Sequence, residues 1–327
     1  MINYQQLKNW VFPEIEHTYT TDDSIRYALA LGVGSDPMNE QELRFVNDTV
    51  ASTPIAMPTM AVVLGFPGSW MQNPATGIDF PQIVHGEELV VLHKALPVAG
   101  TVVAQHTITR IVDKGPGRGA TVTYEKLLFD KATGDKLATV THTTFARGNG
   151  GFSVHDGITD ASLPPPAKVP EREPDQVVDV PTLPQQALMY RLCADRNPLH
   201  SEPAVALAAG FARPILHGLC TYGVAGRAIL RHCCDYQPER LKSLFARFSA
   251  PVFPGETIRV EMYREKTEGG KAVRTGHTAV QFRAIARERG KVVLDAGRAE
   301  IMLPETTPTH RLSASLGRSL PFTQVIQ

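Results

Sequence analysis

Three period-two, β-branched segments close each half of this chain, and a stretch crowded with proline and charge divides the halves. In the first half the alternating segments run over 101–112, 120–129 and 136–147; in the second they run over 257–263, 272–287 and 291–303. Alternation of this kind specifies half-buried antiparallel strands. KATGD at 131–135 and RERG at 287–290 supply the glycine of a tight hairpin between them. The divider, LPPPAKVPEREPDQ and then VPTLP within 162–184, carries too many prolines to continue a helix or pair as a central strand. One apolar segment of helical length, 216–232, precedes the strands of the second half. The first half has a shorter one around 59–64, interrupted by Pro54, Pro58 and Pro67. Local echoes point the same way: IVHG at 83–86 against ILHG at 215–218, and IRYAL at 25–29 against ALMYR at 187–191. The pattern predicts an α+β fold built from a duplicated unit, a helix against a curved antiparallel sheet, over 1–160 and 185–327 with a linker at 161–184. Two such sheets joined edge to edge cap each other's open strands.

With 327 residues, 43% of them hydrophobic, the chain is long enough for a large core and about two domains at roughly 100–200 residues each. Basic and acidic side chains balance at 33 each, so no overall field attracts nucleic acid or an anionic membrane. No window approaches ~18 uninterrupted apolar residues, and MINYQQLKNW lacks a signal-peptide pattern, which predicts a soluble, cytoplasmic protein. The end FTQVIQ is not an S-K-L signal, so a peroxisomal address is not expected. Cys193, Cys220, Cys233 and Cys234 have no C-x-x-C spacing and read as free thiols. The glycine-rich basic turn at 114–119 lacks the G-x-x-x-x-G-K-[ST] spacing, and no G-x-G-x-x-G follows a strand, so neither ATP nor a nicotinamide is expected.

The densest chemistry lies between Tyr190 and Thr221. DRNPLH at 195–200 places a carboxylate, an amide and an imidazole close together, with Pro198 forcing an extended or turning backbone. It reads either as an acid–base pair sharing one water, Asp195 with His200, or as a polar cap in which Asp195 or Asn197 starts a helix and His200 packs behind it. Gly218 falls near the expected start of the long helix, where free N–H groups and the positive dipole end stabilise an oxyanion; close packing at the helix entry is the plainer account. His217, Cys220 and His200 make an incomplete set of metal ligands, and no metal is expected. ARFSAPVFPGET at 246–257 reads as a strand, a proline-bounded turn and the next strand.

ADRNPLHSEPAVALAAGFARPILHGLCTYG at 194–223, with ARFSAPVFPGET following, closely resembles the MaoC-like, R-specific enoyl-CoA hydratases called hydratase 2. YALALGVG at 27–34, VHGE at 84–87, LPVAG at 96–100, VDKG at 112–115 and RGNGGF at 147–152 look like the amino-terminal repeat of the two-repeat members. The resemblance implies a double hot-dog fold and reversible hydration of trans-2-enoyl-CoA to (3R)-3-hydroxyacyl-CoA. It implies that Asp195 and His200 activate water, that Asn197 holds them in place, and that Gly218 offers its N–H to the thioester oxygen. His85, Gly86, Lys114, Arg196, Pro198, Leu199 and Phe248 stand at positions that contact the acyl-CoA. The first half then binds without catalysing, and no histidine follows Asp36 at the distance that separates Asp195 from His200. The implied partner is a small-molecule acyl-CoA, with no cofactor and no nucleic-acid or membrane partner, and the implied assembly is a homodimer. Cys193 and Ala194 stand where Ser-Gly is common and Arg196 where an aromatic residue is common, which bears on substrate preference. The rival readings are a dehydratase acting on a bulky acyl-CoA or an acyl carrier protein thioester, and a thioester-binding hot-dog protein without chemistry.

Overall fold

The computed structural model describes residues 1–49, 54–155, 157–193, 195–265 and 276–304. Among these, ten strands form one antiparallel sheet: β1 Ile15–Tyr19, β2 Ile83–Leu92, β3 Gly100–Asp113, β4 Ala120–Asp130, β5 Lys136–Ala146, β6 Gln176–Pro181, β7 Leu241–Phe248, β8 Thr257–Arg264, β9 His277–Ala286 and β10 Lys291–Met302. Their order across the sheet is β1-β3-β4-β5-β2-β7-β10-β9-β8-β6. The second half therefore repeats the first in reverse, the arrangement a pseudo-twofold axis between β2 and β7 generates. This is the double hot-dog architecture: each half-sheet curls around a central helical segment. Both predicted hairpins form, and Gly134 and Gly290 adopt the left-handed φ of +74° and +58° that their turns require.

The helices are α1 Tyr4–Lys8, α2 Thr21–Ala30, α3 Glu40–Leu43, α4 Gln186–Tyr190, α5 Pro203–Ala208 and α6 Gly218–Cys233. Every residue of α6 from Cys220 to Leu230 is buried, so this helix is enclosed on all sides. One side meets the second half-sheet, where the Tyr222 hydroxyl donates to the Leu244 carbonyl at 2.6 Å. The other meets the first half: Gly223 packs on Leu31, Gly226 on Thr59, and Arg227 donates to both oxygens of Glu42 at 2.9 and 2.8 Å. The first half's own central segment is the 3-10 helix Pro58–Val62. Pro58 leads it, and its last carbonyls are closed by Lys126, whose Nζ donates to Ala61, Val62 and Leu64 at 2.6–3.0 Å.

Two expectations need correction, and a third falls partly outside the described residues. Gln176–Pro181 lies inside the stretch read as linker yet pairs along β8, because its alternating valines fit an edge strand and Pro181 falls at its end, where a missing N–H is tolerated. The echo of IVHG with ILHG is not a structural equivalence: the first opens β2, whereas the second leads into α6. The other echo pairs α2 with α4, whose Tyr27 and Tyr190 rings meet at 5.9 Å. For the segment expected at 272–287, residues 272–275 lie outside the described residues, and the strand runs from His277.

Candidate active site

Two consecutive side-chain turns hold the loop after α4. Asp195 Oδ1 accepts the Asn197 N–H at 2.9 Å, and Asn197 Oδ1 accepts the Leu199 N–H at 3.0 Å, capping the 3-10 helix Pro198–His200. His200 is delivered into the interior by that turn, 8% exposed, while Arg196 and Pro198 stay exposed and Leu199 half-buried. Its Nδ1 lies 2.9 Å from the Ile215 carbonyl, so Nδ1 carries the proton and donates. Nε2 is then a bare lone pair. The His217 ring stacks on it with centroids 3.8 Å apart and planes 29° apart. His217 in turn donates from Nε2 to the Asp195 carbonyl at 2.9 Å, tying the loop back to the start of α6. A carboxylate oxygen of Asp195 and ring nitrogens of both histidines lie within 4.8 Å of one another.

Burial pushes the His200 pKa below its ordinary 6.5, against the opposing pull of the Ile215 carbonyl and the Asp195 charge. Burial, reinforced by His200, pushes His217 down to about 3. Both imidazoles are neutral near pH 7. Asn197 caps the 3-10 helix as the polar-cap reading of DRNPLH expects, and Asp195, which closes the turn before it, keeps a carboxylate oxygen within 4.8 Å of a ring nitrogen of His200.

Gly218 is the first residue of α6, and no side chain caps that end. Among the described residues no acceptor takes its N–H, which points out of the first turn along the dipole. A Cβ at Gly218 would lie 3.1 Å from the Phe248 ring, so glycine lets the aromatic ring close against the helix start. Phe248 also meets the His85 ring, centroids 4.2 Å apart. Gly86 marks a bulge: His85 pairs with Thr144 and Glu87 with Thr143, and a Cβ at Gly86 would press on the Thr143 carbonyl at 3.1 Å. Such a bulge re-aims the side chain beside it. The expected residues Asp195, Asn197, His200, Gly218, Phe248, His85 and Gly86 are thus linked contact by contact. Lys114 is not among them: it is exposed in the turn after β3, at the same sheet end as His85 but three strands away, about 14 Å at the usual strand spacing.

Sequence reasoning passed over His217 as a stacking partner and missed Glu88 and His142 entirely. Glu88 is 1% exposed, and its Oε2 accepts from His85 Nε2 and His142 Nδ1, each at 3.0 Å. A carboxylate at an inward position of the short alternating run at 88–92 was the available signal. These three residues and the Asp195, His200 and His217 group are the two clusters with metal-ligand composition among the described residues. In each, hydrogen bonds to oxygen already occupy one nitrogen of every imidazole. Cys220, once weighed as a ligand, is buried elsewhere, its thiol 3.6 Å from the Ala30 carbonyl.

Residues 17–148 match the family described as MFE-2 hydratase 2 N-terminal domain, and residues 166–284 the MaoC like domain family. An enoyl-CoA hydratase of Mycobacterium tuberculosis is 40% identical over 77% of this chain and 86% of its own length. A probable enoyl-CoA hydratase 2 of Dictyostelium discoideum is 34% identical over 92% of this chain and 97% of its own. Among solved structures, a MaoC-like dehydratase from Phytophthora capsici superposes with a TM-score of 0.78 at 31% identity, covering 93% of this chain and 100% of that one.

Proposed function

The chain belongs to the MaoC-like enoyl-CoA hydratases of the hydratase 2 type, and from that membership we propose that Asp195 and His200 carry its chemistry. The reaction is a hydro-lyase step: water adds reversibly to trans-2-enoyl-CoA and gives (3R)-3-hydroxyacyl-CoA. Thioester conjugation already makes C3 electrophilic, so the reading includes no cofactor. As the water oxygen bonds to C3, the C2=C3 electron pair moves toward the carbonyl and negative charge gathers on the thioester oxygen. The uncapped Gly218 N–H at the start of α6 stabilises that oxygen more in the transition state than in the substrate. Water gives up one proton to the Asp195 and His200 pair, and C2 receives one from it, so the pair ends in its starting state. The two groups act as a unit in passing the proton.

Two observations support this reading: the Nδ1 bond to Ile215 leaves Nε2 of His200 as the lone pair, and a ring nitrogen of His200 lies within 4.8 Å of an Asp195 carboxylate oxygen. Gly86, His85, Phe248 and the loop residues Arg196, Pro198 and Leu199 would line the thioester end, with Lys114 reaching a more distant part of the CoA. The first half then supplies binding surface and the second half the acid–base pair.

Loss of enoyl-thioester absorbance from crotonyl-CoA, coupled to R-specific and S-specific 3-hydroxyacyl-CoA dehydrogenases, tests it. Asp195→Asn and His200→Ala are each expected to lower turnover by at least ~10² with the fold retained. Turnover near the unsubstituted level in either variant sinks the assignment.

A further inference from the structure

Across Phe248 from Gly218 the first half-sheet builds a second ordered cluster. Glu88 stands directly opposite His142 in the β2 to β5 register, and His142 opposite Tyr124 in the β5 to β4 register. From that row four rings follow in contact toward the active site: Tyr124 stacks on His142 with centroids 4.8 Å apart, His142 meets His85 tilted at 3.9 Å, and His85 meets Phe248 tilted at 4.2 Å. Phe248 ends the series against Gly218. Glu88 clamps the stack in the middle. His85 Nε2 has two oxygen neighbours, Glu88 Oε2 at 3.0 Å and the Glu87 carbonyl at 3.2 Å, and a carbonyl only accepts. Nε2 therefore carries the proton. Nδ1 is left as a lone pair without a protein partner among the described residues, on a side chain 19% exposed.

Burial, with His142 adding to it, pushes His85 down to about 4, so the ring is neutral near pH 7. Glu88 is ionised: burial would raise it, but the hydrogen bonds from His142 and His85 hold it at about 2. An ionised acceptor shared by two imidazole donors fixes both ring orientation and tautomer.

We infer that Glu88 and His142 are positioning residues that hold His85 as its Nε2–H tautomer, so that Nδ1 accepts a hydrogen bond from the bound acyl-CoA, from the pantetheine amide N–H nearest the thioester. The thioester oxygen lies at Gly218, one ring away, and that amide is the first N–H donor along the CoA arm from the sulfur. The inference rests on the active-site reading above, with recognition assigned to one cluster and acid–base chemistry to the other.

Binding of butyryl-CoA, a saturated thioester that cannot be hydrated, separates the two. In Glu88→Met, which removes the acceptor at similar volume, Kd is expected to weaken about tenfold and KM for crotonyl-CoA to rise alike, with kcat within about threefold. Glu88→Gln keeps an acceptor oxygen and should restore Kd to within about twofold, whereas Asp195→Asn should bind butyryl-CoA normally and lose turnover. An unchanged Kd in Glu88→Met, or a loss of kcat without a change in Kd, overturns the inference and leaves the Asp195 assignment standing. Turnover retained in Asp195→Asn removes that assignment and leaves the recognition test intact. Nitrogen-15 spectra of the histidine-labelled, unsubstituted protein give an answer that needs no folded Glu88 variant. His85, assigned through His85→Gln, is expected as the neutral Nε2–H tautomer, with its Nδ1 resonance shifting on addition of butyryl-CoA. An Nδ1–H tautomer, or an Nδ1 resonance indifferent to ligand, overturns it.

Discussion

On the proposed mechanism His200 must be neutral to take a proton from water, and its burial sets the pH at which that condition fails. The folded-state pKa lies below the ordinary 6.5, so the base form persists as pH falls past 6.5. The acid limb of kcat/KM for crotonyl-CoA is therefore expected below pH 6.5, and a limb at or above that value would contradict the neutral, Nδ1-donating imidazole. Stability follows the same sign. Between its folded pKa and 6.5 a buried histidine binds fewer protons folded than unfolded, so stability rises with pH across that window and is lost as pH drops below 6.5. The window reaches about 4 for His85 and about 3 for His217, and Glu88 adds a further loss from its ordinary 4.5 down to about 2. Urea melts alongside the rate profile separate the two effects, since the rate is read where the protein remains folded. The turn that carries Asp195, Asn197 and His200 was legible in the sequence because it is short and its proline and Asx side chains announce it. His217 was legible only as a histidine. Its stacking on His200 and its bond to the Asp195 carbonyl arise when α6 docks against the loop, and the Glu88 and His142 pair arises only when β2 and β5 come into register.

At the scale of elements, α6 is held by what it lacks. A Cβ at Gly226 would stand 2.6 Å from Thr59 Cγ2 and 3.2 Å from Leu244 Cδ2, so α6 lies between the 3-10 helix Pro58–Val62 and β7 at a separation that only glycine permits. Gly226→Ala adds helix propensity worth about 1 kcal/mol but forces that wedge apart, and overpacking costs about 1–3 kcal/mol. A net loss of stability is expected. Thr59→Ser removes the methyl that clashes and keeps the hydroxyl that meets Tyr27 at 3.2 Å. In that background the cost of Gly226→Ala should shrink by at least about 1 kcal/mol, a coupling that a denaturant-based double-mutant cycle reads directly. Equal costs in both backgrounds would mean that α6 does not press on Thr59. The strands over 101–112, 120–129, 136–147, 257–263 and 291–303 were legible because each alternates over a long run. β1, β2 and β6 were not: β1 and β6 are short edge strands, and β2 carries a glycine bulge and two glutamates at its start, which break the alternation where it turns toward the site. The 3-10 helix was foreseen as a shortened helix from its prolines, while the capping of its carbonyls by Lys126 is a long-range contact that no local pattern contains.

For the whole molecule, the reversed strand order makes the chain two half-sheets joined along β2 and β7. β2 and β7 pair from Glu87 with Arg247 to Val91 with Ser243, and Arg247 closes an ion pair on Glu87 at 2.6 Å, two residues from His85. Across the core, α6 buries its far side in the first half, with Arg227 paired to the buried Glu42. Residues 161–165, by contrast, form an exposed, irregular segment. A segment of that kind tolerates cleavage when the elements on either side are fixed by other contacts. A protease site inserted after Leu163 is thus expected to give, on cutting, two fragments that migrate together in gel filtration without denaturant. They should hydrate crotonyl-CoA within about twofold of the uncut protein, since His85 and Gly86 from the first half still meet Gly218 and Phe248 from the second. The first fragment expressed alone should aggregate, because the faces of Leu31, Thr59 and Glu42 that α6 covers would be open. Fragments that separate on cutting, or activity that falls with the extent of the cut, would show instead that the connection holds the halves in register and that the join between β2 and β7 is too weak to do so.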